Sequence, residues 1–145
     1  MKINVCIFGI SGYTGSQLIS LISNHKKVSI IGVFGNESLG KNLKELFPYL
    51  KNIPNIEVSD YKKFDFSKCN LVFMCLPNYK SQEIVSHLNN CKIIDLSSDF
   101  RIQNRNDYEN WYEKKHKLPG ILKKFVYGLS ELNRKKIKKA NFVAN

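Results

Sequence analysis

Apolar positions along the chain fall into short runs separated by polar stretches that carry glycine, proline or asparagine. Ile3, Val5, Ile7 and Phe8 form a run rich in β-branched residues, which predicts a buried strand. Gly9, Gly12 and Gly15 follow at every third position, and Leu18, Ile19, Leu21 and Ile22 then recur with helical spacing over Ser16 to His25. Val28 to Phe34 is apolar throughout and reads as a strand buried on both faces. Leu43, Leu46 and Phe47 predict a short helix ended by Pro48. Ile56–Val58 is expected as a short strand, and Lys62 to Ser67 as irregular or a helical turn. Strands are predicted at Cys69–Leu76 and Lys92–Leu96, with a helix at Gln82–Leu88 that turns Ile84, Val85 and Leu88 inward. A helix over Asp107–His116 would carry Tyr108, Trp111 and Tyr112 along one face. Phe125–Leu129 reads as extended, Ser130 as the cap of a basic helix over Glu131–Lys139, and Asn141–Asn145 as a last strand. Strands alternating with helices predict an α/β fold with a doubly wound, mostly parallel sheet of Rossmann type over residues 1–145.

The strand, glycine turn and helix at the start form a phosphate-binding unit. Glycines permit a tight turn and close backbone approach, and the free N–H groups of the helix's first turn point at an anion. The spacing is G-x-x-G-x-x-G, not the common G-x-G-x-x-G of dinucleotide enzymes, and a tight turn without a ligand competes with it. Candidate contacts for a dinucleotide are Gly9, Ser11, Gly12, Tyr13, Thr14 and Gly15. After the second strand, where such a fold meets the adenosine ribose, stand Glu37, Ser38 and Lys41. An acidic residue there suits ribose hydroxyls and a cation suits a 2′-phosphate, so these charges leave NAD and NADP both open.

Ligands of open parallel sheets lie beyond the carboxyl ends of strands. Leu76, Pro77 and Asn78 occupy one such end, and Ser97, Ser98, Asp99 and Arg101 another. Arg101 has a planar fork for phosphate or carboxylate; an ion pair with Asp99 is the competing reading.

With 145 residues and 43% hydrophobic content, the chain has apolar material for one ordinary soluble domain. No segment reads as a signal peptide or a membrane span. The four cysteines, Cys6, Cys69, Cys75 and Cys91, lie in or beside predicted strands without C-x-x-C spacing. They read as buried thiols of a cytoplasmic protein. His25, His87 and His116 are isolated and expected at the surface, so no metal site is predicted. The net charge of +11 comes from lysines spread over the whole chain with no interleaved aromatics. That argues against a nucleic-acid partner and suits anionic cofactors and substrates.

Several segments together resemble the N-acetyl-gamma-glutamyl-phosphate reductase family of the semialdehyde-dehydrogenase-like group. They are Gly9-Ile-Ser-Gly-Tyr-Thr-Gly15, Ser38-Leu-Gly-Lys41, Leu76-Pro77 with Ser81, Ile94-Asp-Leu-Ser-Ser-Asp-Phe-Arg101, Tyr108 with Trp111-Tyr112 and His116, Val126-Tyr-Gly-Leu129 with Glu131-Leu-Asn-Arg134, and Val143-Ala-Asn145. The resemblance implies NADPH-dependent reduction of an acyl phosphate to a semialdehyde in arginine biosynthesis, with NAD as the alternative cofactor. It makes Ser98 and Arg101 candidates for the substrate phosphate, and homo-oligomers the expectation for complete members. The family's nucleophilic cysteine lies in an Asn-Pro-Gly-Cys-Tyr-Pro-Thr motif whose first residue corresponds to Asn145. None of the four cysteines here matches it, so no catalytic residue is expected, and the substrate and dimerisation domain is expected to be absent. The chain departs from the family at Asn78-Tyr79, where His-Gly is common, at Gly35-Asn36-Glu37, and at Ser130, where proline is usual. The alternatives are an aspartate-semialdehyde dehydrogenase-like or lysine-pathway fragment, or a stand-alone dinucleotide-binding module.

Overall fold

Strand β1, Ile3–Phe8, buries its last four residues, and β2, Val28–Phe34, pairs with it in parallel from Ile3↔Val28 to Phe8↔Phe34. The register slips between Val5 and Cys6, a bulge that leaves Ile31 without an opposite residue. Helix α1, Tyr13–Ser23, makes the crossover and buries Gly15, Ile19 and Ile22, while Leu21 faces water. The computed structural model describes residues 2–88 and 90–145, which divide into two compact units, the first running to Cys75 and the second Leu76–Asn145.

In the first unit β3, Leu71–Met74, pairs in parallel with the other side of β1, giving the order β2-β1-β3. Phe8, Phe34, Phe64 and Phe66 cluster beneath these strands, with Phe34 and Phe64 edge to face at 5.2 Å. Gly32 makes room for that cluster, because a Cβ there would stand 2.8 Å from the Phe64 ring. Helix α2, Leu43–Leu46, opens on a capping box formed by Asn42 and Glu45. Ile56–Val58 is not a strand: only an isolated bridge, Asn42↔Glu57, forms there. Two 3-10 turns, Tyr61–Lys63 and Phe66–Lys68, occupy the segment expected to be irregular or helical, each started by an aspartate side chain.

The second unit contains α3, Ser81–Val85, then β4, Lys92–Asp95, α4, Arg105–Tyr112, α5, Pro119–Leu122, β5, Phe125–Tyr127, α6, Ser130–Ile137, and β6, Phe142–Ala144. Its strands are parallel in the order β4-β6-β5. The core is aromatic: Phe100 stacks on Phe125 at 4.1 Å and meets the His116 ring edge-on at 5.3 Å.

The structure departs from five further expectations. Helix α3 ends at Val85, although Ile84, Val85 and Leu88 are buried as predicted. Helix α4 starts after an Asn104 cap and stops at Glu113, which is left-handed at φ 52°. Its three aromatics do not share one face: Tyr108, fully buried, packs its ring 4.8 Å from that of Tyr112, whereas Trp111 is 78% exposed. His116 is buried rather than at the surface. Ser130 is the first helical residue of α6, with Leu129 at the cap, and it caps nothing. Proline is well suited to that same position because the N–H it lacks has no helical partner.

Candidate functional site

The glycine turn is built from three different demands. Gly9 lies at φ +75°, the left-handed region that side chains resist, and its N–H bonds the Phe34 carbonyl at 2.9 Å. Gly15 is forced by packing: a Cβ there would sit 2.2 Å from the Gly9 carbonyl oxygen and 2.8 Å from the Ile10 Cα. Those are backbone atoms and cannot step aside. Gly12, the cap of α1, is different. It has ordinary extended backbone at φ −79°, and a Cβ there would meet only the Gly9 oxygen at 3.7 Å. Nothing within the chain demands glycine at Gly12, so the space its side chain would fill is left to an approaching group. Helix α1 starts with no side-chain cap and no acidic residue in its first turn. Ser11, Gly12, Tyr13 and Thr14 are all exposed. Together these features fit the pyrophosphate of a dinucleotide: bare N–H donors, the positive end of a helix and room for close approach.

The end of β2 runs beside this turn through the bond from Gly9 to Phe34. Asn36 to Lys41 then folds into tight turns, with Leu39 N–H on the Asn36 carbonyl, Lys41 N–H on the Ser38 carbonyl, and Gly40 at φ +81°. Ser38 is buried in the turn, while Glu37 and Lys41 face water. The structure thus gathers the predicted ribose-side charges on one exposed corner.

In the second unit, Pro77 and Asn78 are exposed, and a turn from Pro77 to Lys80 leads into α3. Tyr79 in that turn has φ +72°, where a non-glycine residue is strained. Three contacts hold it there: its N–H donates to Asp99 Oδ1 at 2.6 Å, its hydroxyl donates to the Tyr112 carbonyl at 3.0 Å, and Lys114 Nζ stands 4.0 Å over its ring. Asp99 Oδ2 also accepts the Gln82 N–H at 3.4 Å. The competing ion pair between Arg101 and Asp99 does not form; Arg101 instead donates from Nε to the Asn145 carbonyl at 3.0 Å. Its terminal amino groups are the part that would face an anion. Ser98, also named from sequence, is buried with its hydroxyl unpartnered.

Sequence reasoning placed Ser97 on the rim but did not single out Asp95, Gln82 or the inward role of His116. Asp95 and Asp99 are both fully buried. Asp95 accepts from the Ser81 hydroxyl at 2.8 Å and from the Ser97 hydroxyl at 2.7 Å. Burial pushes the Asp95 carboxyl up to about 6, against the pull of its serine partners and with a smaller push from Asp99. Gln82 spans the interior, donating to the Tyr108 hydroxyl at 2.9 Å and accepting from the Lys117 N–H at 2.8 Å. Burial also holds the His116 imidazole below its ordinary value. Its Nδ1 accepts from the Leu118 N–H, so Nε2 carries the proton that the Asp99 carbonyl receives. Among the described residues no cluster of His, Cys, Asp or Glu could hold a metal. No helix among them is long and apolar enough to cross a membrane. All four cysteines are buried.

The family model described as "Semialdehyde dehydrogenase, NAD binding domain" matches residues 4–140. N-acetyl-gamma-glutamyl-phosphate reductase from Cereibacter sphaeroides is 39% identical over 142 residues, which cover 97% of this chain and 42% of that protein. The chain therefore spans well under half the length of this relative. Aspartate semialdehyde dehydrogenase II from Vibrio cholerae has the same fold over 100% of this chain and 38% of its own, with a TM-score of 0.69 at 20% identity. Aspartate semialdehyde dehydrogenase from Candida albicans, solved with NADP, superposes at a TM-score of 0.61 and 15% identity over 99% of this chain and 42% of its own. The α/β Rossmann-type fold expected from the alternating pattern is thereby established, and the chain belongs to the semialdehyde dehydrogenase NAD-binding domain family.

Proposed function

We propose that this chain is the dinucleotide-binding portion of an N-acetyl-gamma-glutamyl-phosphate reductase, taking NADP in preference to NAD. The observation that carries the reading is the contrast between Gly15, which the fold requires, and Gly12, which it does not. Gly9, Ser11, Gly12, Tyr13, Thr14 and Gly15 would hold the pyrophosphate. Glu37, Ser38 and Lys41 would meet the adenosine ribose, with exposed Lys41 available to a 2′-phosphate. Leu76, Pro77 and Asn78 would line the nicotinamide side, and Ser98 and Arg101 would hold the phosphate of an acyl-phosphate substrate. The nicotinamide would supply a hydride, and this chain's residues would fix its position and that of the phosphate. The Candida albicans protein solved with NADP supports the phosphorylated cofactor. The reducing power of the cytoplasm suits four buried thiols, and complete proteins of this kind would assemble as homo-oligomers.

Calorimetric titration tests the reading. The folded chain binds NADPH with a sub-millimolar constant and NADH more weakly. Gly12→Ala folds as the wild type does but loses affinity about ten-fold, roughly 1.4 kcal/mol, because the methyl occupies the phosphate's approach. Gly15→Ala loses about 3 kcal/mol of stability, because its methyl must displace backbone. A folded wild-type chain that binds neither cofactor at millimolar concentration overturns the proposal.

A further inference from the structure

Two buried carboxyls with no cation beside them are an expense that an anion-binding region does not need on electrostatic grounds. Among the described residues, neither Asp95 nor Asp99 joins an ion pair. What surrounds them is a set of donors. The Tyr79 and Gln82 N–H groups reach Asp99, and the Ser97 N–H reaches Asp95 Oδ1 at 3.3 Å. Amide N–H groups can only donate, so a side-chain amide in place of the Asp99 carboxyl would set its own N–H against one of its two partners. The Ser97 hydroxyl joins the two acids: it donates to Asp95 Oδ2 at 2.7 Å and accepts the Asp99 N–H at 3.1 Å. Asp95 further holds Ser81, the first residue of α3. Two segments distant in sequence are tied at three points in this way, Tyr79 and Gln82 to Asp99 and Ser81 to Asp95. One begins with Leu76–Asn78 and the other carries Ser98 and Arg101. Among the described residues of this region, Ser98 Oγ is the buried side-chain polar atom left unpartnered, and Tyr79 is kept in a strained conformation by the same tie.

We propose that Asp95, Ser97 and Asp99 are positioning residues that make the nicotinamide-side segment and the phosphate-side segment one unit, so that filling either orders the other. The proposal rests on the functional reading above. An anion that satisfies Ser98 fixes the backbone of Ser97 to Asp99. That fixes the Asp99 carboxyl, which in turn fixes the Tyr79 N–H and the Pro77–Asn78 residues just before it. Coupling of this kind is reciprocal.

The test is NADPH titration of the full chain with and without saturating inorganic phosphate. In the wild type, phosphate tightens NADPH binding about five-fold. In Asp99→Asn and in Ser97→Ala, whatever the affinity without phosphate, the phosphate effect falls to less than two-fold. A purely structural role would weaken binding equally with and without phosphate. Hydrogen exchange on the wild type gives a reading independent of the variants' folding: phosphate slows exchange of the Tyr79 and Gln82 amides about five-fold. Unchanged exchange overturns the proposal. So does a wild-type phosphate effect that is nil or competitive, or one of equal size in the variants. A folded wild type that binds neither NADPH nor phosphate fails the functional reading itself, and the coupling falls with it.

Discussion

Asp95 and His116 are buried in the same unit, and their ionisation acts on stability in opposite senses. The Asp95 carboxyl is raised from 3.8 to about 6 on folding. Its stabilising contribution is therefore complete below 3.8 and is lost as pH rises through about 6, a swing of about 3 kcal/mol. His116 is lowered from 6.5 by burial, so its contribution is present above 6.5 and is lost as pH falls through its folded value. Between pH 5 and 7 the two effects offset each other. Asp95→Asn cannot titrate and leaves His116 unopposed. Urea unfolding at both pH values should show Asp95→Asn losing more stability on acidification than the wild type does, by about 1 kcal/mol or more. Parallel pH profiles for the two proteins would show that Asp95 does not titrate in this window.

At the scale of an element, α6 shows how one residue type can serve two positions. Ser130 before Glu131 reads as a cap, yet Leu129 holds that place with extended backbone at φ −67° and ψ 96°. Leu129 then lies outside the α region that a following proline disfavours, and Ser130 stands at the first helical position. Ser130→Pro should raise stability by about 0.5 kcal/mol through a more restricted unfolded chain. If the serine were a cap, its loss would cost about 1 kcal/mol, so the sign of the change in thermal unfolding separates the two placements. At this scale, part of the fold is legible in the sequence and part is not. The strand, glycine turn and helix at the start could be read because periodicity, glycine spacing and burial all act within some twenty neighbouring residues. The buried network could not, because its pairs are made across the chain: Ser81 with Asp95 lies 14 residues apart, and Gln82 with Lys117 lies 35. Local pattern also misassigned Trp111 and His116. An aromatic at helical spacing does not reveal which side the core is on, and a lone histidine does not reveal that Asp99 and Leu118 will bracket it.

Over the whole molecule the charge of +11 raises a question that neither residue nor element answers: does it act as a general field or at one point? Helix α6 has no buried residue, and Arg134, Lys135 and Lys136 lie in its last turn, a solvated basic face. At physiological ionic strength exposed charges are screened beyond about 8 Å, so lysines that make no contact with a bound cofactor contribute little to its affinity. Lys41 is different, because it stands on the exposed corner where β2 ends beside the glycine turn. NADPH carries one more phosphate than NADH, so the two cofactors report on that corner separately. Lys41→Gln should weaken NADPH about ten-fold and NADH less than two-fold, matching the loss of one charge-assisted contact of roughly 1.4 kcal/mol. Lys135→Gln with Lys136→Gln removes more charge but should leave both constants within two-fold at 0.15 M salt. If the α6 substitutions weaken NADPH as much as Lys41→Gln does, the basic charge acts as a field over the molecule. Preference for the phosphorylated cofactor would then not lie in a local contact at Lys41.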